Sequence, residues 1–109
     1  MPYKLRFAKG PDDLLTALAA DTGNAAKRRL RKVRKALGQL ERDPRHPGLH
    51  SHQYESFPVD KDVKVWDSYV ENHTPGAWRI FWHYGPDELG QPDEPRQPVI
   101  TVLAIGPHP

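Results

Sequence analysis

The sequence contains no cysteine and a single methionine. Disulfides and thiolate metal sites are therefore excluded. No apolar run approaches the ~18 residues of a membrane span. The N-terminus also lacks the apolar stretch of a signal peptide. A cytoplasmic location, away from membranes, is the expectation. No His-Glu-x-x-His pattern accompanies the six histidines, so neither a metal nor any other cofactor is expected.

What is present is one domain's worth of chain. A second domain within 109 residues would leave too little interior for either. Residues 1–109 are therefore read as a single domain. Hydrophobic residues at 37% and charged residues at 28% allow one modest core under a polar surface. The net charge of +2 hides an asymmetry. Residues 24–45 carry nine basic residues against Glu41 and Asp43, which makes that stretch +7 and leaves −5 for the remainder. A field of this kind attracts polyanions or an acidic partner, although a solvated helix face has the same composition.

Tyr3, Leu5 and Phe7 alternate with Lys4 and Arg6, which predicts a strand over residues 3–8. Pro11-Asp12-Asp13 is expected to open a short helix with Leu14, Leu15 and Leu18 as its apolar stripe. Asn24 is a candidate N-cap for a second helix over residues 25–41. Leu30, Val33, Leu37 and Leu40 recur there at spacings of three and four. Asp43-Pro44 and His46-Pro47-Gly48 end it. Strands are expected over 49–54, 63–70, 77–84 and 99–105, with a hairpin at 72–76 and a long mobile loop at 85–98. The order β-α-α-β-β-β-β reads as α+β, with a helical hairpin packed on one face of a mainly antiparallel sheet.

Alternation sorts the side chains of these strands by face. Trp78, Ile80, Trp82 and Tyr84 share one side, and Trp66 and Val70 join them as the core side. Asp67, Tyr69, Arg79, Phe81 and His83 fall on the other side. Arg79 in mid-strand on an open face suits phosphate, because its planar fork makes bidentate, charge-assisted bonds. The bland alternative is a surface Arg paired with Asp67. Histidine is the natural acid or base near neutral pH. His50 and His52, two apart, are expected on one strand face. Metal-free RNA cleavage needs only a base for the ribose 2′-hydroxyl, a cation for the phosphorane and an acid for the leaving 5′-oxygen. Aromatic side chains such as Phe81 could stack exposed bases. His50, Lys64 and Arg45 are candidate RNA-binding groups.

Several local patterns, taken in order, resemble the RelE/ParE superfamily of bacterial toxins. Tyr3-Lys4-Leu5-Arg6-Phe7 is similar to the first strand of that family. Leu37-Gly38-Gln39-Leu40-Glu41-Arg42-Asp43-Pro44, followed by Leu49 and His52, is similar to its helix end and L-x-x-H segment. Trp66-Asp67-Ser68-Tyr69 resembles a strand commonly written W-E-L-R. Trp78-Arg79-Ile80-Phe81-Trp82 resembles the Y-R-hydrophobic strand, and Ile105-Gly106-Pro107-His108 the end of the last strand. The resemblance implies a RelE-like fold. It also implies an mRNA-cleaving toxin, often acting in the ribosomal decoding site and neutralised by a cognate antitoxin protein.

At matched positions, Arg79 falls on the family's phosphate-stabilising Arg, and His108 near its C-terminal Arg or His. Asp67 and Tyr69 stand where some ribonuclease members carry basic residues. The general base is therefore sought among His52, His50 and His83, and the catalytic tyrosine is taken as Tyr69. Two other classes fit the same residues. One is a protein-binding toxin of the gyrase-inhibiting branch, and the other a catalytically silent RNA- or partner-binding module.

Overall fold

A computed structural model describes residues 2–58, 62–71, 76–86 and 97–107 of the chain. It is an α+β structure in which two helices pack against a five-stranded mixed sheet. The chain runs β1 (Lys4–Phe7), α1 (Lys9–Ala20), α2 (Asn24–Arg42), a 3-10 turn (Pro47–Leu49), β2 (His52–Gln53), β3 (Trp66–Tyr69), β4 (Trp78–Tyr84) and β5 (Val99–Pro107). The strands lie in the order β1-β5-β4-β3-β2. Three pairings are antiparallel, but β1 runs parallel to β5. The sheet is therefore mainly antiparallel, as expected, and the one parallel pairing at its β1 edge makes it mixed.

Helix starts differ from expectation. α1 begins at Lys9, and Pro11 is its third residue and buried. Asn24 does not cap α2. Gly23 is the N-cap without a side-chain bond, and its own amide donates to Asp21 Oδ1 at 2.8 Å. The connection expected as a hairpin at 72–76 lies mostly outside the described residues, and so does most of the loop at 85–98.

The 3.6-residue periodicity of α2 places Val33, Ala36, Leu37 and Leu40 on one buried stripe. They meet Ile80, Trp82, Ile100 and Val102, with Leu5, Phe7, Leu15 and Trp66 at the margin. Ile105 also reaches this core. Simple alternation from Ile100 would place it on the other face. The ladder pairs Phe81 with Ala104 but Trp82 with Val102, so Leu103 is an extra residue. That β-bulge flips the face of everything after it.

The core also holds a polar chain. Trp82 Nε1 donates to Ser68 Oγ at 2.7 Å. Ser51 Oγ donates to the Pro44 carbonyl at 3.0 Å. Ser51 thereby commits its only proton, so the 2.6 Å contact between the two hydroxyls is a bond from Ser68 to Ser51. This chain ties the segment after α2 to the middle of the sheet. Among the described residues no helix is long and apolar enough to cross a membrane.

Candidate functional site

The sheet face away from the helices carries Asp67, Tyr69, Arg79, Phe81 and His83, as alternation requires. Its middle is not bare. Tyr54 and Phe57 lie with ring centroids 5.3 and 5.5 Å from Phe81, which is 3% exposed. Phe81 was expected to stack RNA bases, and this cover removes it from reach. The residues that cover it come from the segment after β2, where no alternation pattern announced them.

At one end of that face several candidate groups converge. Register places His52 opposite Asp67 and Tyr69 opposite Arg79, so Arg79 reaches Asp67 diagonally. Arg79 Nη1 lies 3.4 Å from Asp67 Oδ1, long for a hydrogen bond but close for opposite charges. The Arg79 guanidinium carbon sits 3.6 Å from the centre of the Tyr69 ring, a cation–π contact. Asp67 is fully buried, and a carboxylate there requires compensation. Arg79 supplies it on one oxygen. His52 Nε2 lies 3.5 Å from the other.

The His52 ring is oriented by its second nitrogen. Nδ1 lies 2.9 Å from the His50 carbonyl, which can only accept, so Nδ1 carries a proton. A second proton on Nε2 would face Asp67. His50 is not in the strand beside His52 as expected. It closes the 3-10 turn in the left-handed conformation, at φ 47°. Its ring nonetheless lies 4.9 Å from that of Tyr69, and the His52 ring meets Tyr69 edge-on at 6.2 Å. Among the described residues the His50 ring nitrogens make no hydrogen bond. His50, His52, Asp67, Tyr69 and Arg79 thus form one cluster.

His83 stands apart from it. Four residues further along β4, it is roughly 13 Å from Arg79 at ~3.3 Å per residue. Its Nδ1 donates to the Tyr84 carbonyl at 3.1 Å. It lines a cavity of about 470 Å³ with Lys64, Trp66 and Tyr84. A second cavity, of about 300 Å³, is lined by Arg45, His46, His50, Trp66 and Tyr84 among others. Three candidate RNA-binding groups, His50, Lys64 and Arg45, therefore border two cavities that share Trp66 and Tyr84.

Burial pushes the Tyr84 hydroxyl above its ordinary value of 10.0, and Tyr3 adds to this while Arg45 opposes it. The aromatic pair was assigned to the core from its face alone. Nothing in the alternation shows that helix cover ends before Tyr84, which is 44% exposed. His108 lies outside the described residues. Among the described residues no group of three or more His, Cys, Asp or Glu could hold a metal ion. No protein-family model matches the chain, and no curated protein or solved structure matches it either.

Proposed function

We propose that this chain acts on RNA as a toxin-type endoribonuclease of the RelE/ParE kind, restrained by a cognate antitoxin. The observation that carries the reading is the convergence of His50, His52, Tyr69 and Arg79 at one end of the sheet face without helices. The step is attack of the ribose 2′-oxygen on the adjacent phosphorus. The His50 ring takes the 2′-proton, and the O2′–P bond forms. Arg79 stabilises the charged phosphorane. The P–O5′ bond then breaks and the leaving oxygen takes a proton from water, while His52, held between Asp67 and the His50 carbonyl, keeps the cluster in place. The products are a 2′,3′-cyclic phosphate and a 5′-hydroxyl.

One observation favours a second reading. The Arg79 side chain is 14% exposed and already faces Asp67. A guanidinium engaged in this way suits a module that binds RNA or a protein partner without cutting.

The test is induced expression with mapping of mRNA 5′ ends. Arg79→Ala alone is a poor probe, because it leaves Asp67 buried without its cation. His50→Ala and Arg79→Lys are the informative variants. The nuclease reading expects growth arrest and new mRNA ends with the wild type, and loss of at least tenfold in cleavage with either variant. Arrest without new ends, unchanged in both variants, overturns it in favour of a protein target. No arrest by any form leaves the binding module.

A further inference from the structure

We infer that the two cavities meeting at Trp66 and Tyr84 form a base-stacking groove for single-stranded RNA, which adjoins the Arg79 cluster through His50. The inference rests on the RNA reading for its ligand, though not for its place.

The groove lies where helix cover of the sheet ends. Trp66 begins β3 and Tyr84 ends β4, and both line both cavities. Among the described residues Tyr84 is the one large hydrophobic side chain left exposed, at 44%. It stands edge-on to Trp82, with centroids 5.0 Å apart, and to Trp66 at 6.4 Å. Trp66 and Trp82 lie nearly parallel at 6.0 Å. The rings therefore brace one another and form a rigid aromatic wall.

Charge selects the class of ligand. Arg45 borders one cavity and Lys64 the other. His46 Nδ1 accepts the Gly48 amide proton at 3.0 Å, so its other nitrogen presents an N–H. The carboxylate of Asp43 is engaged by the Arg45 amide at 3.0 Å, and Asp62 borders the second cavity. Cationic side chains around aromatic rings disfavour a quaternary ammonium and suit flat bases joined by phosphates. Volumes of about 300 and 470 Å³ fit ligands of nucleotide size. A duplex keeps its bases inside its own stack and offers no ring to such a wall. His50 borders one cavity and also contacts Tyr69, so a strand leaving the groove passes towards the Arg79 cluster.

The test uses the full chain and a fluorescent 2′-O-methyl octaribonucleotide, which cannot be cleaved by 2′-oxygen attack. Linear polyphosphate serves as a ligand with charge and no bases. Binding is read by anisotropy for the wild type, Tyr84→Leu, Tyr84→Phe and Lys64→Ala. The expected result is single-strand binding weakened roughly five- to a hundredfold by Tyr84→Leu. Tyr84→Phe should retain binding, Lys64→Ala should weaken it, and polyphosphate binding should be the same in Tyr84→Leu and the wild type. Wild-type affinity for RNA in Tyr84→Leu overturns the groove and leaves the RNA reading standing. Equal loss of both ligands in Tyr84→Leu assigns the ring to holding the fold and also overturns the stacking. A wild type that binds no RNA overturns both.

Discussion

Asp67 governs the charge balance of the candidate site. It is fully buried, with Arg79 at one oxygen and His52 near the other. Removing one partner of a buried ion pair strands the other charge, which costs about 3–5 kcal/mol. Asp67→Ala and Arg79→Ala are each expected to destabilise the fold by about that amount. The double variant is expected to cost clearly less than the sum, because neither charge is left alone. Urea unfolding of the four proteins measures the coupling, and additive losses would show that the pair does not interact. Arg79 and Asp67 were legible as cross-strand neighbours from alternation. Their burial was not, because it depends on neighbours that only the fold supplies, such as His52, which β2 brings 3.5 Å from Asp67.

At the scale of elements, α2 is held to the β3–β4 region through Glu71. This carboxylate accepts the Trp78 amide at 3.1 Å and pairs with Lys32 at 3.3 Å and Arg29 at 3.6 Å. The Arg29 guanidinium also lies 4.2 Å from the centre of the Trp78 ring. Burial alone would push Glu71 up, but the Trp78 amide, Lys32 and Arg29 outweigh it and hold the carboxyl below 4.5. A carboxyl lowered in the folded state contributes stability that is present above its unfolded value and is lost as pH falls through its folded one. Glu71→Gln is therefore expected to be less stable than the wild type near neutral pH, by about 1–3 kcal/mol. The gap should close as the pH falls below 4.5. Thermal unfolding from pH 7 to pH 3 tests this, and a gap independent of pH would mean that Glu71 acts by shape alone. Sequence periodicity announced α2 and its stripe. It did not announce this anchor, because Glu71 and Arg29 are far apart in the chain.

At the scale of the molecule, the +7 stretch becomes one helix and its continuation. Among the described residues no ion pair holds Lys27, Arg28, Arg31, Arg34 or Lys35. If RNA lies along this helix, each phosphate contact releases counterions. Replacing Arg31, Arg34 and Lys35 with Gln should then reduce the slope of log affinity against log salt by about two. An unchanged slope would assign this face to a protein partner or to solvent.

What the sequence determined by itself is whatever depends on local period. That covers the order of helices and strands, the buried stripe of α2, and the face on which Arg79, Tyr69 and Asp67 lie. Tertiary structure alone decided the parallel seat of β1 beside β5, the bulge at Leu103 that returns Ile105 to the core, and the cover over Phe81. It also decided the split of the histidines between two places, and the meeting of Trp66 and Tyr84 at the edge of the helix layer. The physical reason is the same in each case. Alternation records which side of a strand a residue takes, but how much of that side is covered depends on segments distant in sequence.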